Sequence, residues 1–292
     1  PCGGVILPTV IRIRRKRPTV PAKTPAELDA MQAAGEIVGR ALVAVRDAAV
    51  PGATTQDLND VAHEVITSAG AVPSFLGYEG FPASVCASVN EVIVHGIPSR
   101  ERVLAEGDLV SIDCGAILDG WHGDATFTVV LPGGDEAVRA ERERLSKITR
   151  ESMWVGIAAM ANGKRVNDIG SAIDDFITEL PEDKQPDILR DYVGHGIGSS
   201  MHQEPDVLNY RVRGRSPKLK NGMVLCIEPM LAAGDQATKV LDDDWTVVTT
   251  DGSDSAHWEH MVAKHSQGIW VLTARDGGAE GLAPFGITPV PL

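Results

Sequence analysis

Between Thr24 and Ile66 the apolar positions keep a helical period. Leu28, Met31, Ile37, Val38, Ala41, Leu42 and Val45 fall on one face of a helix that Pro51-Gly52 ends. Its start is written in "TPAE" (24–27): Thr24 caps, Pro25 opens the first turn, and Glu27 reaches back to the cap N–H. A second helix, about residues 55–69, carries Leu58, Val61, Ala62, Val65 and Ile66. The pattern then changes. Runs rich in glycine and β-branched residues predict strands at 84–95, 109–116 and 125–131, and again at 192–197, 223–229, 245–250, 259–265 and near 268–273.

The helix pair recurs. "PGATTQDLNDVAHEVI" (51–66) lines up without gaps on "NGKRVNDIGSAIDDFI" (162–177), matching Gly52 to Gly163, Asp57 to Asp168, Leu58 to Ile169 and Ile66 to Ile177. Each copy follows a helix-like stretch and precedes strand-like ones. The repeat predicts an α+β protein in two similar halves, about 24–140 and 141–292, with a break near 133–150 and a cleft between them.

Composition limits the function classes. The 292 residues can bury a large core, and no apolar run approaches membrane-spanning length. A formal net charge of −13 argues against nucleic acid, DNA included, as the main partner. The four cysteines (Cys2, Cys86, Cys114, Cys226) are scattered, as expected of reduced thiols in the cytoplasm rather than a disulfide framework. One region is basic: residues 1–23, with Arg12, Arg14, Arg15, Lys16 and Arg17, read as a flexible arm, with docking on ribosomal RNA as the alternative.

Polar residues inside the strand-like runs carry the chemistry. In "SIDCGAILDGWHGDATFTV" (111–129), Asp113 and Asp124 sit on two apolar segments joined by a Gly-rich turn. A single strand aspartate often marks an edge or bulge, but two on neighbouring strands repel unless a cation lies between them. Downstream, "YVGHGIGSSMHQEP" offers His195 and His202, "GMVLCIEPM" offers Glu228, and "AHWEHMVA" offers Glu259. Taken singly, each has a structural explanation. Together the four acids and one imidazole suit a pair of divalent ions of the manganese, iron or cobalt kind. Structural zinc would favour cysteine clusters, and none is spaced for it.

From about Thr24 to Thr273 the chain resembles the type I methionine aminopeptidases, through "LGYEGFPASVCASVNEVIVHGIP", "IDCGAILDGWHGDATFTV", "GHGIGSSMHQEP", "IEPM" and "DDWTVVTTDGSDSAHWEHMV". The resemblance implies the pita-bread fold, two pseudo-symmetric α+β halves with antiparallel sheets enclosing a central metal site. It implies a single catalytic domain over 24–292, monomeric and cytoplasmic, that removes the initiator methionine of nascent peptides when the second residue is small. It places Asp113 on one ion and His195 and Glu228 on the other, with Asp124 and Glu259 bridging. A metal-activated water would attack the first peptide carbonyl, Glu228 would shuttle protons, and His202 with metal would stabilise the oxyanion. His95 and His202 would contact the scissile peptide. Phe75, Tyr78, Phe81, Cys86, Met201 and Trp245 would hold the methionine side chain.

Several positions depart from the family's usual residues. Ser111 stands for asparagine, Gly115 for threonine and His257 for glutamine; Phe75, Phe81 and Met201 stand for cysteine, tyrosine and phenylalanine. Such neighbours of ligands bear on metal affinity and rate. Two other readings compete: a proline-directed peptidase (aminopeptidase P or prolidase), and a non-catalytic binding module on the same fold. A type II enzyme would carry an insertion between its last two glutamates, and here that gap is only 259 − 228 = 31 residues.

Overall fold

Capping chemistry sets the helix starts in the computed structural model, which describes residues 20–292. The basic cluster Arg12 to Arg17 and Cys2 lie outside the described residues. Helix α1 (Pro25–Ala48) begins at Thr24, whose N–H donates to Glu27 Oε2 at 2.7 Å. Helix α2 (Thr55–Ser68) repeats the device, with Thr54 N–H donating to Asp57 Oδ2 at 2.8 Å. Helices α3 (Glu136–Asn162) and α4 (Asn167–Thr178) form the second pair, and a short α5 (Ala279–Leu282) follows late in the chain. Asp168, aligned with Asp57 in the sequence repeat, instead ties down the turn before α4, which has no side-chain cap: its Oδ2 accepts from the N–H groups of Lys164 and Arg165 at 2.7 and 2.9 Å.

The strands of the first part are β1 (Val72–Pro73), β2 (Val85–Val89), β3 (Val92–Val94), β4 (Leu109–Leu118) and β5 (Trp121–Val130). Those of the second are β6 (Asp187–Ile188), β7 (Gly194–Gly196), β8 (Gln203–Val207), β9 (Met223–Ile227), β10 (Met230–Ala232), β11 (Thr238–Val240), β12 (Val247–Thr249), β13 (Ser255–His257), β14 (Glu259–His265) and β15 (Gly268–Val271). Nine make one sheet in the order β1-β4-β5-β14-β9-β7-β8, with β2 also on β4 and β15 on β14; the small sheets β13-β10-β6 and β11-β12-β3 stand beside it. All pairings are antiparallel.

The observed strands refine the expected ones. The run 84–95 is two strands, because Asn90 turns the chain with φ 59° and binds a distant loop: its Oδ1 accepts from Leu109 N–H, and its Nδ2 donates to Asp108 Oδ1, both at 2.9 Å. The stretch 133–150 is a short loop followed by the first turns of α3, which begins at Glu136.

Side-chain alternation divides the large sheet into two faces. Ile112, Cys114, Ala125 and Phe127 pack with Ile37, Ala41, Leu58 and Ala62 of α1 and α2. Leu225, Ile227 and Val262 pack with Met153, Ile157 and Ile173 of α3 and α4. Both helix pairs thus cover one face. The alternate positions Asp113, Asp124 and Glu259 point the other way. At one end the start of α1 closes that second face, with Leu28 and Met31 against Val224, Cys226 and Met261.

Helix α1 comes unusually near to the sheet. A Cβ added at Gly123 on β5 would stand 2.8 Å from the backbone of Ala34, and one at Gly35 would stand 2.5 Å from the Leu272 carbonyl oxygen. Only residues without a side chain permit these approaches. Gly123→Ala should therefore cost about 1–3 kcal/mol of stability through overpacking against backbone. Chemical denaturation checks this, and a midpoint equal to that of the unmodified protein would show that α1 can yield.

Candidate metal centre

Strand register builds the site. Cys86 on β2, Asp113 on β4, Thr126 on β5 and Glu259 on β14 lie directly opposite one another in sequence of strands, forming one row across the sheet. Opposite residues share a face, so all four side chains point into the cleft. Asp124 stands in the adjacent row, opposite Gly115. Glu228 follows the last residue of β9, where Ile227 pairs with His260. His195 lies at the bulge of β7, before Gly196, which pairs with both β8 and β9.

Five predicted ligands therefore converge from both halves of the chain. His195 Nε2 lies 3.3 Å from Glu228 Oε1 and 3.8 Å from Asp124 Oδ2. Its Nδ1 is 3.0 Å from the Gly196 carbonyl oxygen, which can only accept. The proton thus sits on Nδ1, and Nε2 turns its lone pair to the acids. Thr126 donates its hydroxyl to Glu259 Oε2 at 3.0 Å.

The cluster is under-satisfied by protein alone. Asp113 Oδ1, Asp124 Oδ1, Glu228 Oε1 and Glu259 Oε1 are buried without a hydrogen-bond partner. Burial raises the carboxyl pKa of Asp113, and raises those of Asp124, Glu228 and Glu259 well above the usual range, with neighbouring carboxylates adding to the last three. Burial also lowers His195 to about 4, keeping it neutral. Enclosed carboxylate oxygens beside a neutral imidazole are a donor set that fits divalent cations. Ligand atoms of Asp124, His195, Cys226 and Glu259 lie within 4.8 Å of one another. Cys226 is present as a thiol, because burial raises its pKa well above the usual value and the nearby acids add to this.

The acids form the floor of a cavity of about 450 Å³. Phe75, Phe81, Cys86 and Met201 make a buried apolar cluster at its side, with Trp245 packed against it. Phe81 meets Trp245 edge to face at 5.1 Å between ring centres. Ser74 and the Phe75 ring fill the space beside Gly115, where an added Cβ would come within 2.8 and 3.0 Å of them. Tyr78 lines the same cavity but is partly exposed, and its hydroxyl lies 3.0 Å from His202 Nδ1. The His202 ring is 4.4 Å from that of His195. His95 is held at the cavity wall with φ 59°, 6.1 Å from Trp245 between ring centres, and burial lowers its pKa to about 4.

Other residues of the site were not singled out in the sequence. Thr126 and Thr128 share the face of Asp124 by alternation, the one signal that could have found them. Tyr192, beside His95, had no such signal. His257 does reach the centre, with Nε2 at 3.6 Å from Glu228 Oε2, and burial lowers its pKa to about 4.

The sequence profile of metallopeptidase family M24 matches residues 29–264. The chain belongs to this family. Within it, the chain is 52% identical over 264 residues to methionine aminopeptidase 1 of Mycobacterium tuberculosis, covering 90% of this chain and 97% of that protein. The crystal structure of the Thermotoga maritima methionine aminopeptidase superposes with a TM-score of 0.82 at 38% identity, over 88% of this chain and all of that one. Prolidase from Pyrococcus furiosus shares the fold at 22% identity, with a TM-score of 0.68 over 87% of this chain and 65% of that one. The expected pita-bread fold is thus found, and M24 membership agrees with a metal-holding cleft.

Metal removal should leave a pH signature. Carboxyls whose folded pKa exceeds the unfolded value of about 4 stabilise the metal-free fold in acid, and that contribution is lost as pH rises through the folded value. A bound cation cancels the loss. The Tm gap between metal-loaded and chelator-treated protein should therefore widen from about pH 5 to about pH 8. Scanning calorimetry reads the gap, and a constant or shrinking one would contradict a cation-balanced cluster.

Proposed function

We propose that the protein is a methionine aminopeptidase of type I that removes N-terminal methionine from nascent peptides and prefers a small second residue. One observation carries the reading: the apolar pocket and the acid cluster share a single cavity. A thioether side chain lodged among Phe75, Phe81, Cys86 and Met201 would bring the first peptide bond over the acids, and polarisable sulfur suits aromatic walls.

Asp113, Asp124, His195, Glu228 and Glu259 would hold two divalent ions, of cobalt, manganese or iron. When bound, such a pair supplies a nucleophilic water at neutral pH and polarises the carbonyl. The protein's own groups do the rest. Glu228 accepts the proton released by the water and passes it to the departing amine. With the Tyr78 hydroxyl as donor to His202 Nδ1, 3.0 Å away, the His202 proton lies on Nε2. That N–H is then the donor for the oxyanion. His95, in the same cavity, is neutral and able to hydrogen-bond the peptide.

The decisive experiment supplies the metal-free protein with each divalent ion in turn, on Met-Ala-Ser and Ala-Pro peptides. Cleavage of the first and not the second is expected; the reverse would make the protein a proline-directed peptidase. Asp124→Asn should abolish turnover and lower the number of ions bound, and near-normal activity would refute a two-ion centre. His202→Ala should lower kcat by roughly 10²–10³-fold, with metal content unchanged, as for loss of one oxyanion donor. Loss of metal instead would make His202 a ligand. Tyr78→Phe should lower kcat by less and leave KM for Met-Ala-Ser close to its original value, since the phenol acts through His202. A change in KM alone would restrict Tyr78 to the methionine pocket.

A further inference from the structure

His257 ends β13, and its side chain is 2% exposed against the cavity that holds Asp113, Glu228 and Glu259. It is the point where the chain leaves the small sheet for the large one. Met230 pairs with it on one side, and Glu259 opens β14 two residues later. Its Nε2 is buried without a hydrogen-bond partner. A buried nitrogen left unpaired costs about 1–3 kcal/mol, so an imidazole is not expected to be held this way for packing alone.

The distances describe a ligand rather than a hydrogen bond. His257 Nε2 stands 3.6 Å from Glu228 Oε2, beyond ordinary hydrogen-bond range. Two atoms each about 2.1 Å from one ion, at about 90–120° to each other, lie about 3.0–3.6 Å apart. His195 Nε2 shows the same spacing to its neighbours, 3.3 Å to Glu228 Oε1 and 3.8 Å to Asp124 Oδ2. Glu228 therefore presents one oxygen to each of two imidazoles.

The mounting of His257 is stiff. Thr128 Oγ1 donates to the His257 carbonyl at 2.5 Å and accepts from its N–H at 3.1 Å. With that proton committed, Ser111 Oγ must donate to Thr128 Oγ1 across 2.8 Å. Ser111 and Thr128 thus fix the backbone from which the imidazole projects.

We infer that His257 Nε2 is an additional nitrogen ligand of the metal centre, on an ion it shares with Glu228. The centre then carries two imidazoles instead of one. Nitrogen donors suit iron, cobalt, nickel and zinc better than manganese, so the added ligand biases the site away from manganese. The inference rests on the proposed metal centre and is separable from it.

Cobalt(II) added to the metal-free full chain provides the test, read by paramagnetic proton NMR. Two strongly shifted, exchangeable imidazole N–H signals are expected, one from each histidine. In His257→Gln one signal should vanish, the other remain, and cobalt Kd rise by at least about tenfold. A single shifted imidazole in the unmodified protein overturns the inference even if the variant fails to fold. So does an unchanged cobalt Kd in a folded His257→Gln. Weakened binding with only one imidazole signal throughout would make His257 a hydrogen-bond partner of Glu228 and also overturn it. Failure of the unmodified protein to take up cobalt would remove the metal centre itself.

Discussion

Carboxylates crowded on one sheet face repel each other, and burial sharpens the repulsion because water no longer screens it. Much of the architecture around the cleft is a response to that constraint. Strand register, rather than long side chains, brings Asp113, Thr126 and Glu259 into one row. A hydroxyl donor stands among the acids: Thr126, between Asp113 and Glu259 in the row, donates to Glu259. What this donor leaves unmet is a set of inward-facing oxygens, and positive charge answers it better than any further protein donor could. The two helix pairs on the far face make the row rigid enough to hold that arrangement.

The acids were legible because they break a pattern. In a strand whose alternate residues are buried, an aspartate at a cleft-facing position has no packing role, so Asp113 and Asp124 declared themselves. Thr126 and Thr128 did not, since threonine is an ordinary strand residue and its hydroxyl shows no purpose until its partner is seen. The resemblance to a known family, and not periodicity, nominated Phe75, Phe81, Cys86, Met201 and Trp245 for one pocket. Their convergence depends on loops whose path no local rule dictates. The unbroken run 84–95 misled for a similar reason. Asn90 bends the chain there through bonds to Asp108 and Leu109, residues that local sequence does not bring near.

Departures from the family's usual residues make sense in groups rather than singly. Gly115 leaves room that Ser74 and the Phe75 ring fill. A larger residue on the strand and a large aromatic in the loop could not both be accommodated without movement. Ser111 and His257 are joined in the same way, through the Thr128 hydroxyl. Each pair redistributes volume or hydrogen bonds within one small region, while Asp113, Asp124, His195, Glu228 and Glu259 keep their places.

The contact of Gly35 with the Leu272 carbonyl has a consequence for the order of events during synthesis. Helix α1 completes its packing on a segment 272 − 35 = 237 positions later, just as Asp113 needs Glu259 to complete its row. While the chain is being made, the first helix pair and the β4–β5 hairpin emerge with two acids already side by side and no partner for their charge. Glu259 completes the row of acids, and Leu272 completes a helix seat that Ala34 and Gly123 have already begun. The row of inward-facing acids and the seat of α1 are thus completed by neighbouring segments, so that the two are set to form together.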